Sequence, residues 1–289
     1  MSSKINELKD LMAKAPGKFD LPGSGQIAMS DIMDELGVTG QHSLRELADL
    51  AGFAAGEVSF SDFHGFSSKF VVDLPGGAQS KVNLDSYLSG WNGTAPLVVN
   101  VPADAQYSSD TTATPALVCN PTQAIPAGST INIASGAAIH GCGGAGGTRS
   151  GGNAGAGSAG GVGLQHKSGF TVNNSGSVLG GGGGGGAGGN STISNKSGSA
   201  TYYGGGGGGG AAYGSGGAAS TNGSPGGTGT FGGGGGGGAP GSTSGASGGT
   251  GGTGGAPGNN GAGGGSPSGG TSTSPPGAGG AAGTAIQSV

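Results

Sequence analysis

Charge is scarce in this chain. Only 8% of its 289 residues are charged, against about 25% in an ordinary globular domain. All 14 carboxylate side chains lie between Glu7 and Asp110, and beyond that point the only cations are Arg149, Lys167 and Lys196. A stretch without Asp or Glu excludes carboxylate acid–base catalysis and a hard-cation cage, both of which need those groups. Aromatic residues make up 5% of the chain, too few for a large aromatic core. Two cysteines, Cys119 and Cys142, exclude a disulfide framework. No apolar run approaches the roughly 18 residues of a membrane span. The N-terminal MSSKINELKDLMAK has no apolar secretory core, so synthesis in a cytoplasm without an export precursor is expected. A net charge of -4 leaves no basic footprint, which argues against nucleic acid and against an anionic membrane surface as the main partner.

What is present is glycine, 78 residues of it, with 14 prolines. Such a composition by default implies disorder. The average hides a division near residue 136, because 13 glycines fall within residues 1–135 and 65 within residues 136–289. Before the division the text is more ordinary. A stripe of Ile5, Leu8 and Met12 predicts a short first helix ended by Pro16-Gly17. Ser30 is placed to cap a turn beginning at Asp31, with Gly37 as its stop, and Ser43 precedes the helical phrase LRELADLAG closed by Gly52. GEVSFSDFHGF offers a short alternation and another turn. FVVDL, KVNLDSYL, PLVVNVPA, ALVCN and STINIAS then read as strands of a small sandwich or jelly-roll-like layer over residues 69–135, with Trp91 as a core anchor.

The phrases SGQIAMSDIMDELG, SLRELADLAG and VSFSDFHGF resemble a module of bacteriophage tail and tail-fibre proteins. The segment VNLDSYLSGWNGTAPLVVNVPADA is similar to the part preceding glycine-rich domains in phage tail-tip proteins.

For the glycine tract, collagen would need Gly at every third place. The uninterrupted runs Gly180–Gly186, Gly204–Gly210 and Gly232–Gly238 break that frame. A flexible linker mixes Gly and Ser evenly and rarely repeats an aliphatic phrase. Here IASGAAIHG (Ile133–Gly141) and VNNSGSVLG (Val172–Gly180) match Ile133, Ile139 and Gly141 to Val172, Val178 and Gly180 at an offset of 39, and each copy leads into a glycine run. The remaining form is polyglycine II, an extended three-residue helix like polyproline II, whose N–H and C=O groups are satisfied only by neighbouring rods. Ordering a residue costs about 1–2 kcal/mol and one hydrogen bond returns about 0.5–1.5. An isolated rod therefore loses and a cooperative sheaf can win.

A β layer feeding apolar braces and glycine motifs resembles the receptor-binding adhesins at phage tail-fibre tips, in particular the detachable long-tail-fibre adhesins of some T-even-type phages. The resemblance implies a layered polyglycine II sandwich whose distal loops select the host receptor. The expected fold is mainly β and irregular: a small α/β attachment module (1–68), a β shoulder (69–135) and a C-terminal sandwich of packed polyglycine II helices (136–289). The N-terminal module differs from the pattern of those adhesins, which leaves the mode of attachment open.

About ten rods of alternating direction would send successive connections to opposite ends. LQHKSGFTVNNSGSVL, AAY, TF, APGNN and the terminal TAIQSV suit packing on the β layer. TRSGGN, NSTISNKSGSATYY, AASTNGS, APGSTSGAS and SPSGGTSTSPP are polar and suit a distal face. On that face Tyr202 and Tyr203 are candidate amphipathic anchors, with capping of the adjoining rod as their other role. Arg149, Asn153, Asn195, Lys196, Asn222, Thr243 and Thr271 are candidate hydrogen-bonding contacts. No phosphate-cradling GxxxxGK[ST] and no nucleophile elbow occurs. His140 and Cys142 make too small a set for a metal site and suit brace packing.

These features point to a non-enzymatic virion adhesin of a tail tip or fibre, without cofactor or metal. Its partners would be a tail or fibre protein at the N-terminal module and a bacterial outer-membrane protein or surface glycan at the distal face. A homotrimer and a single copy on a trimeric fibre both stand open. The rivals are a glycine-rich ice-binding protein and an inert tail-tip spike, with glycan depolymerisation least favoured.

Overall fold

A computed structural model of the chain describes residues 21, 25–36, 38–51, 56–63, 69–91, 93, 95–150, 153–195, 198–220 and 222–289. The helix expected over Ile5–Met12 and the stops Gly37 and Gly52 lie outside the described residues. Helix α1 (Met29–Leu36) starts just before the expected position, because Asp31 accepts a hydrogen bond from the Ala28 amide and so caps the turn from within. Helix α2 (Leu44–Leu50) is capped by Ser43 as expected, and Glu46 closes a reciprocal capping box. Ile32, Leu47, Ala48 and Phe63 are buried together beneath these helices. Among the described residues no helix is long and apolar enough to cross a membrane.

Next come short strands, and the expected sandwich is replaced by a different arrangement. Strands β1 (Phe70–Asp73), β2 (Ala78–Ser80) and β3 (Val82–Asn83) form one coil; β4 (Leu97–Val101), β5 (Gln106–Ser108) and β6 (Leu117–Cys119) form the next. The third coil contains β7 (Thr130–Ile133), β8 (Ala138–His140) and β11 (Leu164–His166), and the fourth β12 (Thr171–Asn174), β13 (Ser177–Leu179) and β20 (Ile286–Ser288). Each coil adds one strand to each of three sheets, β1-β4-β7-β12, β2-β5-β8-β13 and β3-β6-β11-β20, and every pairing in them is parallel. The result is a parallel β-solenoid. Alternation of apolar and polar residues reports which face is buried but not whether neighbours run parallel, which is why these strands also suit a sandwich on paper.

Inside the solenoid, equivalent residues of successive coils stack. Val72, Val99, Ile131 and Val172 occupy one register, Val101 and Ile133 another, and Ile139 pairs with Val178 in the second sheet. Tyr107, Leu97, Leu117, Ile131, Ile139 and Leu164 are wholly buried there, at about 1.5–3 kcal/mol for a typical aliphatic side chain. Trp91 joins this core, its indole N–H donating to the Ala95 carbonyl at 2.9 Å. On the outer face Asp73, Asn100, Asn132 and Asn173 form a ladder in which each Asn amide donates to the preceding coil at 2.9–3.0 Å.

The repeat at offset 39 is partly a register and partly a coincidence. Ile139 does pair with Val178, but Val172 pairs with Ile131, and Ile133 with Asn174. The connection from β7 to β8 is two residues longer than that from β12 to β13. An even slip keeps the same side chains facing inward.

The glycine segments are loops drawn out of the third and fourth coils. Residues 141–163 leave between β8 and β11, and residues 180–285 leave between β13 and β20. Within them, segments without strand or helix pairing bond to one another at every third residue. Gly181, Gly184 and Ala187 donate to Gly161, Ser158 and Gly155; Gly182, Gly185 and Gly188 donate to Ala211, Gly208 and Gly205; Gly183, Gly186 and Gly189 donate to Asn259, Ala262 and Gly265. The same segment accepts from Gly144 and Gly147, from Gly255, Gly252 and Gly249, and from Gly283, Gly280 and Gly277. Residues 180–189 are thus encircled by six neighbours, and their backbone polar groups are satisfied chiefly by other backbone, the Gly188 carbonyl being met by the Arg149 side chain. Residues 204–211 are encircled in the same way, by segments at 144–147, 182–188, 214–217, 224–227, 235–238 and 249–255.

Sterics explain the composition. A Cβ added at Gly184 would overlap the Ala145 carbonyl, and one at Gly207 the Gly185 carbonyl. Outer segments carry side chains every third residue where these point to solvent, as Ala156 and Ala159, Thr250 and Thr253, and Ala278 and Ala281 do.

Candidate functional site

The connections of the glycine segments fall into the two expected groups. At the solenoid end, the turn at Tyr213 and the turn at Phe231 lie beside His140, and Gly258 sits near Leu179. Burial lowers the pKa of His140, and the Phe231 carbonyl near its Nδ1 partly opposes this. Burial raises the thiol pKa of Cys142.

At the other end the polar connections meet. Strands β9 (Arg149–Ser150) and β10 (Asn153–Ala154) form one hairpin. Strand β14 (Ser191–Asn195) pairs antiparallel with β15 (Gly198–Tyr202) and also with β19 (Ser272–Thr273). Strand β17 (Ala246–Ser247) sits between β16 (Ser242–Thr243) and β18 (Ser268–Gly269), and β14 lies beside β17. Two small three-stranded sheets therefore share one face. Antiparallel hairpins close easily here because each joins neighbouring rods of opposite direction.

Side chains pin these hairpins together. The Asn222 Oδ1 accepts from the Tyr203 amide at 3.1 Å, and its Nδ2 donates to the Thr201 carbonyl at 3.3 Å. Thr271 receives the Ser194 amide on its Oγ1 at 3.0 Å, while its own amide donates to the Thr192 carbonyl at 2.7 Å. Asn190 is buried, its Oδ1 accepting from the Gly204 amide.

The nine residues singled out in the sequence are distributed unevenly. Asn153, Asn222, Thr243 and Thr271 are exposed, and Tyr202 and Tyr203 are half-buried. Asn195 sits at the tip of the β14–β15 hairpin, opposite Gly198. Lys196 lies outside the described residues. Arg149 differs from a surface contact: it is buried, with Nη1 donating to the Gly188 carbonyl and Nη2 to Ser274 Oγ at 3.2 Å. Burial lowers its pKa, with nearby Tyr203 opposing. It acts as an internal tie between two hairpins and a glycine segment. Tyr203 caps the adjoining segment, its carbonyl accepting from the Gly241 amide, and it also lines a pocket.

That pocket, of about 230 Å³, lies between Asn190, Thr192, Thr201, Tyr203 and residues 272–274. Sequence reasoning missed most of these residues. The available signal was the alternating STISN and GSATY text, which reads as a hairpin with one shared face.

No curated protein matches the chain. In fold it is similar to a chain of the crystal structure of the gp37–gp38 adhesin tip complex of the bacteriophage S16 long tail fiber. That likeness has a TM-score of 0.50 and 24% sequence identity, over 92% of this chain and 95% of that one. The family of the phage tail fibre adhesin Gp38 matches residues 69–289, which include the solenoid, all the glycine segments and the polar end. The chain belongs to the phage tail fibre adhesin Gp38 family.

Proposed function

We propose that this chain is a non-enzymatic tail-tip adhesin that binds a bacterial surface receptor through the hairpins at the polar end. The observation that carries this reading is their convergence. Connections separated by as many as 125 residues in sequence are hydrogen-bonded together, as Arg149 is to Ser274 and Thr271 to residues 192 and 194, the latter at 2.7–3.0 Å. The segments below have almost no side chains with which to bind anything. A rigid frame under variable polar tips is the arrangement that keeps recognition loops ordered at little entropic cost.

The glycine segments are read as polyglycine II helices. The three-residue recurrence of their bonds and the six neighbours around residues 180–189 support this. The attachment module is assigned to residues 1–68 and the shoulder begins at 69; because β8, β11, β12, β13 and β20 belong to the shoulder, the sandwich expected over 136–289 is drawn from residues 141–163 and 180–285. By likeness to the S16 complex of gp37 with gp38, the partner at the attachment end is a tail-fibre protein. Receptor contacts are assigned to Asn153, Asn195, Lys196, Tyr202, Tyr203, Asn222, Thr243 and Thr271, with Arg149 as their internal support.

Replacing residues 190–203 by the corresponding hairpin of another adhesin tests the reading. Host range is expected to shift while the chain stays folded; adsorption unchanged on every host would overturn it. An inert spike is separated by asking whether the purified chain blocks phage adsorption. The exposed row Thr250–Thr253 is the feature an ice-binding protein would use, and absence of thermal hysteresis would dispose of that rival.

A further inference from the structure

Resting on the adhesin reading, we propose that the pocket between β14, β15 and β19 is a glycan subsite that takes one neutral hexose unit of a surface polysaccharide. Its volume of about 230 Å³ is below the roughly 300–1,000 Å³ of sites for drug-sized ligands, and it suits a single ring better than a peptide segment. The lining is polar without being charged: Asn190, Thr192, Thr201 and residues 272–274 offer hydroxyls and an amide, and Tyr203 the one aromatic ring. A sugar presents the complementary chemistry. Each of its hydroxyls both donates and accepts, as the threonine and serine hydroxyls do, and its C–H face packs on an amphipathic ring such as that of Tyr203.

The bonding around Ser274 sharpens the assignment. Its Oγ accepts from Arg149 Nη2 at 3.2 Å and from the Asn190 amide at 3.3 Å. Two lone pairs are thereby occupied, so the hydroxyl hydrogen is left to donate to a ligand oxygen. Opposite it, the hydroxyls of Thr192 and Thr201 hold each other at 3.1 Å across the β14–β15 pairing. These groups are set before a ligand arrives, so little ordering is needed on binding.

A protein receptor would be met differently. Protein interfaces centre on aromatic or Arg anchors desolvated in apolar sockets. Here the pocket lining includes no aliphatic side chain, and Arg149 is turned inward to Gly188 and Ser274.

Saturation-transfer NMR on the full chain with D-glucose, D-galactose and N-acetyl-D-glucosamine tests the proposal. Transfer to at least one sugar is expected, weakened about tenfold by Tyr203→Ala and by Ser274→Ala, which corresponds to about 1.4 kcal/mol. Thr192→Val keeps the side-chain shape and serves as the second variant should Ser274→Ala disturb Arg149; it too should weaken transfer. Tyr213→Ala, at the solenoid end, should leave transfer unchanged. No transfer from any of the three at about 10 mM, or transfer unaffected by the pocket variants, would overturn the glycan subsite. If the purified chain still blocks phage adsorption in that case, the adhesin reading stands and a protein receptor replaces the sugar. If the chain fails to block adsorption, the adhesin reading itself falls.

Discussion

The imidazole of His140 lies flat on the ring of Phe231, with 4.5 Å between centroids and 19° between planes. The contact joins β8, the second strand of the solenoid's third coil, to a turn between glycine segments. Because burial lowers the His140 pKa, the folded chain holds the neutral imidazole and the unfolded chain takes up a proton first. This contribution to stability is complete above the unfolded value of about 6.5 and declines as pH falls toward the lowered folded value. Calorimetry should show the Tm of the wild-type chain dropping below about pH 6.5 by more than that of His140→Phe. Parallel pH curves for the two would contradict the assignment.

Gly184 and Gly236 differ only in surroundings. A Cβ at Gly184 would collide with the Ala145 carbonyl, whereas one at Gly236 would meet nothing within 4 Å, in a backbone outside the left-handed region. Gly184→Ala should therefore destabilise by about 3 kcal/mol or more, as overpacking against backbone does. Gly236→Ala should be neutral or stabilise by up to about 1 kcal/mol, through the unfolded state. Denaturant titration of the two variants measures the contrast.

Amide exchange should reveal a gradient among segments of nearly identical composition. Residues 180–189 and 204–211, encircled by six neighbours, are expected to exchange slowest. Residues 232–238, where only Gly235 and Gly238 are buried, should exchange faster. Equal rates across the three runs would rule out the lattice of bonds described here.

Removing the buried tie gives a further measurement. Arg149→Met keeps much of the side-chain bulk but deletes the bonds to Gly188 and Ser274. A loss of about 1–3 kcal/mol is expected, with faster exchange confined to residues 188–190 and 272–274. Faster exchange in the solenoid instead would show that the tie has another role.

The parts of this architecture most legible in the sequence were those controlled by steric exclusion. Only glycine fits where backbones touch, so both enclosed segments carry uninterrupted runs, at 180–186 and 204–210, although the equal run at 232–238 lies on the outside. The triplet spacing of Thr250 and Thr253, or of Ala278 and Ala281, carried the same information for outer segments and went unread. The solenoid was less legible, because its pairing partners lie 27 to 122 residues apart and no local pattern encodes strand direction. The Asp73–Asn100–Asn132–Asn173 ladder was one trace of it, its first three members being flanked on both sides by apolar residues. At the polar end, text alone separated the connections into two sets, yet it could not show that Arg149 turns inward. A lone cation among Ser and Gly reads as a surface group until a partner distant in sequence, such as Ser274, is placed beside it.

The three-residue repeat of the hydrogen bonds has an evolutionary corollary. A lattice made of peptide groups alone looks the same after any shift of three residues, so inserting or deleting a triplet of amino acids in two adjacent segments would raise or lower a hairpin by one step and leave the bonds beneath it equivalent. The outline of the polar end can thus be resculpted in discrete increments of length, a kind of variation that a core of interlocking side chains does not permit.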